Sequence, residues 1–214
     1  RGPLVVVDPR RTATAEKAAL HLRPAPGTDL ALALGILHAV VAENLVDQDY
    51  VDKYVHGYAE LKERAKEFTP QYVEQVTGVA AADVVKFARE FATSQPSAIR
   101  IGVAIERSAG GAQAARAVYA IPALAGSWRH VGGGMLQLPL WDFPVDWVKA
   151  ARPDFIKPGT RVVNNLRLGQ ALNGEMQLDP PIKSLFVFCT NPVSQSPETN
   201  KIVEGLKRED LFTV

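Results

Sequence analysis

The 214-residue chain has a single cysteine, Cys189. One cysteine cannot close an internal disulfide or supply a four-thiolate zinc or iron–sulfur site, which excludes disulfide-stapled secreted scaffolds and self-contained cluster ferredoxins. Excess charge is also lacking: 24 Lys and Arg face 23 Asp and Glu, a formal net charge of +1. A general nucleic-acid binder carries a clear basic excess, so no nucleic-acid partner is expected. No apolar run reaches the roughly 18 residues of a membrane span, so no direct membrane insertion is expected. His21, His38, His56 and His130 lie in separate segments without metal-ligand spacing and read as structural or surface residues. The Gly-x-Gly-x-x-Gly fingerprint of ordinary nicotinamide sites is missing.

What is present is an ordinary globular composition, 47% hydrophobic and 22% charged, which argues against disorder. The length suits one large domain or two small ones. Residues 4–7 and 211–214 are β-branched and apolar and read as buried strands. Chain ends usually lie at the surface, so these ends suggest a piece excised from a longer polypeptide. The lone thiol slightly favours a cytoplasmic setting.

Periodicity organises the rest. Residues 4–7 form a continuous apolar run closed by Asp8-Pro9, which suits a parallel strand ending in a turn. Helical spacing starts at Thr28-Asp29 and runs to about residue 44, followed by shorter helices over 49–55, 59–68, 70–76 and 83–92. Residues 97–103 read as a second strand and 110–126 as a small-residue helix that Pro122 should kink or shorten. The stretch 138–158 is irregular and marks the best domain boundary. Beyond it, a helix over 165–173, a strand over 185–189, a helix over 199–207 and a last strand at 211–214 end in a βαβ unit. Apolar strands followed by helices predict an α/β fold: a Rossmann-like parallel sheet flanked by helices over 1–138, and part of a second α/β domain over 139–214.

Ligands of such sheets sit beyond the carboxyl ends of the strands. After the first strand, Asp8 is placed to accept hydrogen bonds from ribose hydroxyls, and Arg10, Arg11, Thr12 and Thr14 to donate to phosphate. The alternative is a solvated turn in which Asp8 or a Thr caps a helix. Asp29 suits either a helix start or the paired N–H donors on a guanine edge. The loop from Gly102 to Gly111 leads into a helix, where glycines admit a ligand to the backbone, or it is a plain connection. After the third strand, Thr190, Asn191, Ser194, Gln195 and Ser196 form a polar loop able to hydrogen-bond a ligand. Cys189 has no histidine near it in sequence and reads as a buried inert thiol.

These segments, in this order, resemble the molybdopterin oxidoreductase family, the dimethyl sulfoxide reductase and formate dehydrogenase group. The matching strings are Leu4-Val-Val-Val-Asp-Pro-Arg-Arg-Thr-Ala-Thr-Ala15, His21-Leu22, Pro26-Gly-Thr-Asp29, Thr77-Gly78-Val79, the Gly102 to Gly111 loop, Leu124-Ala-Gly126 with Gly132-Gly-Gly134, and Asn191-Pro192 with Ser194 and Pro197. The resemblance spans nearly the whole chain and is weakest over about 138–183.

The resemblance implies a parent enzyme that holds molybdenum or tungsten between two pyranopterin guanine dinucleotides and performs oxygen-atom or hydride transfer on a small substrate. In that setting residues 1–138 grip one dinucleotide: Asp8 at the ribose, Asp29 at the guanine, Arg10 and Thr12 at phosphate or sugar, with Gly102 in a ligand-facing loop. Asn191, with Thr190 and Ser194, lies on the side of the second. The resemblance also implies a [4Fe–4S] cluster in an upstream region, a molybdenum ligand outside these residues, and partners in the remaining domains of the same chain and an electron-transfer subunit. No catalytic residue or metal ligand is assigned within the 214 residues, and the piece alone is expected to lack turnover and bound cofactor. Two other readings stay open: a non-redox nucleotide-binding α/β module, and a cofactor-less scaffold subunit of a respiratory complex.

Overall fold

The computed structural model describes residues 2–137 and 144–214. The expected boundary at residues 138 and 139, and Trp141 in the irregular stretch, lie outside the described residues. The chain divides into two compact units, Arg1–Phe143 and Pro144–Val214. The architecture is α/β, and each strand pair among the described residues is parallel.

In the first unit, β1 (Val5–Val7) pairs in parallel with β2 (Leu20–Leu22), with Val5 opposite Leu20 and Val7 opposite Leu22. A 3-10 turn at Ala15–Lys17 connects them. There follow α1 (Asp29–Ala42), α2 (Gln48–Tyr54), α3 (Tyr58–Ala65), α4 (Pro70–Thr77) and α5 (Ala81–Thr93). Then β3 (Ala98–Arg100), a 3-10 turn at Ile105–Arg107, α6 (Gly111–Leu124), a 3-10 turn at Ser127–Arg129 and β4 (Gly134–Leu136) close the unit, with β4 parallel to β3.

Helix α1 is apolar on every side, and every residue from Ala31 to Leu37 is buried, as a helix without a polar face must be. It packs against α3, α4, α5 and α6. Gly35 permits the α4 contact: a Cβ there would stand 2.6 Å from Val73 Cγ2. Leu37, Val40, Val73, Val84 and Leu124 are fully buried around it. Helix starts are locally encoded. Asp47 accepts the Tyr50 N–H at 3.0 Å, and Thr69 accepts the Tyr72 N–H at 3.3 Å with Pro70 in the first turn. Pro122 falls in the last turn of α6, which ends at Leu124. Gln95 donates its amide to the Ala125 carbonyl and the Ser127 hydroxyl and accepts from Ser97, so the one buried serine is satisfied and β3 is tied to the end of α6.

The second unit contains α7 (Trp147–Ala151), 3-10 turns at Pro153–Phe155 and Asn165–Arg167, and α8 (Leu168–Leu172). Next come β5 (Ser184–Leu185), α9 (Pro192–Gln195), α10 (Thr199–Leu206) and β6 (Phe212–Thr213). β5 and β6 pair in parallel, with Ser184 opposite Phe212. Its small core is Ala171, Leu172, Ile202 and Leu211. Gly205 lets α10 lie directly on α8, because a Cβ there would overlap the Leu172 side chain.

The expected helices are present with ends displaced by a few residues. Among the described residues the strands are shorter than expected and form three separate two-stranded pairs. Only Ala98–Arg100 of the 97–103 run is strand, because the chain turns after Ile101. β2 and β4 were not anticipated; each is three residues long, one centred on a histidine and the other starting at a glycine. The expected burial of the end strands is corrected: Leu4, Val7, Phe212 and Val214 are all substantially exposed. A two-stranded pair lacks the covering layers that bury a wider parallel sheet.

Candidate functional site

Parallel pairing brings the carboxyl ends of β1 and β2 to the same edge. Asp8 follows β1 there, and the loop 23–28 leaves β2 from the same edge to start α1 at Asp29. The Asp8 N–H extends the ladder by donating to the Leu22 carbonyl at 3.1 Å. Its Oδ1 accepts the Arg10 N–H at 2.7 Å, a turn in which the side chain bonds the backbone two residues on. Oδ2 has no partner among the described residues. Thr12 Oγ1 accepts the Ala15 N–H at 3.2 Å and so holds the 3-10 turn, while its own hydroxyl proton stays available. The Arg10 side chain is exposed.

Thr28 directs its hydroxyl to the Ala25 carbonyl at 2.6 Å and makes no cap bond to α1. Asp29 is the first residue of that helix and half-buried. Its carboxylate has no hydrogen-bond or salt-bridge partner among the described residues, and none of their basic side chains neutralises it. Asp8 directly follows β1 and Asp29 starts the helix that follows β2, each with carboxylate oxygens unengaged among the described residues.

Gly102 follows β3 in open space: a Cβ there would meet nothing within 4 Å. The close approach in this loop belongs to Gly111, where a Cβ would overlap the Ile105 carbonyl. α6 begins after Gly110 with no side-chain cap.

In the second unit, Thr190, Asn191 and Ser194 are exposed and gathered in one short loop. Asn191 Oδ1 caps α9 by accepting the Ser194 N–H at 3.2 Å. Gln195 Oε1 accepts from the Thr190 hydroxyl at 2.7 Å and from the Asn191 N–H at 3.1 Å. Cys189 is corrected from buried to exposed: it sits at a positive φ of 50° in the turn past the paired part of β5.

Sequence reasoning missed two contacts. His21 Nε2 lies 2.8 Å from the Asp8 carbonyl oxygen, and Arg23 Nε donates to the Pro9 carbonyl at 3.4 Å. Their alternate spacing was the available signal, and it is legible only once 20–22 is known to be a strand.

The charged clusters lie elsewhere. Arg129 bridges Asp47 at 2.7 Å and Asp49 at 2.6 Å. The Arg129 guanidinium holds the Asp47 carboxyl below its ordinary value, helped by the Tyr50 N–H and opposed by desolvation and Asp49. Arg208, then Lys183, lowers Asp210 in the same way. A shallow pocket of about 390 Å³ lined by Tyr50, Tyr54, Trp128 and Arg129, and another of about 400 Å³ near Leu172 and Arg208, include none of the predicted site residues. Among the described residues no group of three or more His, Cys, Asp or Glu is placed to hold a metal, and no helix is long and apolar enough to cross a membrane.

In α/β folds the region past the carboxyl ends of parallel strands is where ligands commonly sit. Residues 2–214 match the family model for the molybdopterin oxidoreductases, and the chain belongs to that family. A Bacillus subtilis (strain 168) relative named "Probable oxidoreductase YoaE" is 39% identical over 212 residues, 99% of this chain and 31% of that protein. "Dimethyl sulfoxide reductase DmsA" of Escherichia coli (strain K12) is 28% identical over 255 residues, 99% of this chain and 30% of that protein. The solved structure of acetylene hydratase from Pelobacter acetylenicus superposes with a TM-score of 0.62 at 27% identity, covering 95% of this chain and 33% of that one. The chain thus spans about a third of the length of these relatives.

Proposed function

We propose that these residues are the central cofactor-binding portion of a molybdenum or tungsten oxidoreductase carrying two pyranopterin guanine dinucleotides, inactive unless joined to the rest of its chain. The observation that carries the reading is that Asp8 Oδ2, past the end of β1, and both oxygens of Asp29, at the start of the helix after β2, have no partner among the described residues. A carboxylate without donors suits a ligand that brings its own. A ribose diol offers O–H donors to Asp8, and a guanine edge offers two adjacent N–H donors to the two oxygens of Asp29. The donor set fits a guanine nucleoside tail. Arg10 and Thr12 then face its phosphates or sugar. Residues 1–138 hold one dinucleotide in a Rossmann-like domain. Residues 139–214 contribute Thr190, Asn191 and Ser194 toward the second, with Gly102 in the loop past β3.

The bound group supplies the redox chemistry, an oxygen-atom or hydride and electron transfer on a small substrate. This chain's residues orient the group and complement its polar tail. An upstream [4Fe–4S] cluster and an electron-transfer subunit complete the proposed assembly. Membership of the family leaves the substrate open, because its relatives are named a reductase, a formate dehydrogenase and a hydratase.

The test uses the full-length protein. Asp29→Asn places an amide donor against guanine donors and is expected to lower the GMP released per protein on acid hydrolysis about tenfold or more. Wild-type GMP and molybdenum content in both Asp29→Asn and Asp8→Asn would refute the assignment.

A further inference from the structure

We infer that His21 is the positioning residue of the nucleoside-binding turn: its imidazole holds the Asp8-Pro9 backbone so that the Asp8 carboxylate stays directed past the strand ends. The inference rests on the proposed role of Asp8.

The strand β2 explains the placement. Side chains alternate along a strand, so Leu20 and Leu22 share one face and His21 takes the other. Leu22 is buried and Leu20 packs against the same core, which fixes that alternation and turns His21 away from the core. Arg23, in phase with His21, points to the same side. The two side chains then meet two successive carbonyls of the opposite turn, His21 at Asp8 and Arg23 at Pro9. The His21 contact, at 2.8 Å and half-buried, is the stronger; the Arg23 contact is long and exposed.

A carbonyl oxygen only accepts, so His21 Nε2 must carry the hydrogen. Asp8 is then held at three points. Its N–H is bound by the Leu22 carbonyl, its own carbonyl by His21, and its Oδ1 by the Arg10 N–H. The backbone on both sides of the residue and the side-chain torsion are set before any ligand arrives, and only Oδ2 remains to be engaged. Preorganisation of this kind raises affinity because the ligand need not order the turn. Without the His21 hydrogen bond the peptide between Asp8 and Pro9 loses its anchor, while the Leu20 and Leu22 packing stays intact.

The experiment compares two variants of the full-length protein. His21→Phe keeps a ring but has no donor; His21→Gln keeps an N–H donor of similar reach. His21→Phe is expected to lower GMP retained per protein about tenfold. His21→Gln is expected to restore it to within about threefold of wild type. The melting temperature of the cofactor-free protein should stay within about 2 °C in both. The double variant of Asp8→Asn with His21→Phe should lose no more than Asp8→Asn alone, since His21 acts through Asp8. Unchanged retention in His21→Phe, a Gln variant as poor as the Phe variant, a multiplicative loss in the double variant, or a fall in the cofactor-free melting temperature that matches the GMP loss would each overturn the inference. Wild-type retention in Asp8→Asn would instead remove the reading beneath it.

Discussion

The two regions that carry candidate ligand contacts engage their polar groups in opposite ways. Past β1 the Asp8 backbone is bonded on both sides, while Asp8 Oδ2 and the Asp29 carboxylate have no partner among the described residues. In the loop after β5 the side chains are turned inward: Asn191 caps α9, and Thr190 donates to Gln195. On the proposed function, the first would meet a donor-bearing ligand with oxygens to spare, whereas the second would have to exchange internal bonds for ligand bonds. The cores differ in the same sense. α1 is enclosed by four helices, whereas the second unit has a few buried residues and leaves Phe186, Phe188 and Phe212 at least 70% exposed.

The sharpest way to break this comparison is through the cores. Leu37→Ala opens a cavity among helices that cannot close around it and should cost about 4 kcal/mol, against about 2 kcal/mol for Ile202→Ala, where fewer neighbours resist collapse. Urea unfolding of each variant checks this, and equal losses would show the second core to be as tightly held as the first.

Next in size is the Asp47 hub. Asp47→Ala removes a helix cap together with the Arg129 pair and should cost about 1.5 kcal/mol at neutral pH. The folded Asp47 carboxyl lies below its ordinary value of 3.8, so its contribution is complete above that value and fades as pH falls through the lower folded value. The variant should therefore lose less stability than wild type on acidification below about pH 4, read by melting temperature against pH. Asp210 carries the same sign through Arg208 and Lys183 but is more exposed than Asp47, so Asp210→Asn should change the acid limb less.

The smallest effects separate the two candidate edges. Asn191→Ala should cost about 0.5 to 1 kcal/mol through the lost cap. Asp8→Asn keeps an oxygen for the Arg10 N–H and should change stability by less than about 0.5 kcal/mol, although it is expected to release GMP. A large stability loss for Asp8→Asn would show that its carboxylate is structural and erase the contrast.

Much of the frame was legible beforehand. The apolar run of α1, the short helices that follow it and the turn at Asp8-Pro9 follow from local rules that act within a few residues. So did the choice of Asp8, Asp29 and Asn191, since strand ends and helix starts are marked in the pattern. The strand Leu20–Leu22 was not legible, because three residues with a central histidine carry no period until a partner strand supplies the ladder. The exposure of Cys189 was missed because the lack of a histidine nearby in sequence bears on reactivity, whereas burial depends on whether other elements cover the residue.

By itself the sequence determined the α/β class, the helices, the candidate carboxylates and the family, because these depend on local periodicity and ordered motifs. Tertiary structure alone decided that β1 and β2 lie parallel and that His21 reaches the Asp8 carbonyl thirteen residues away. Pairing register and side-chain partners are set by which surfaces meet in space, and no stretch of neighbouring residues records that.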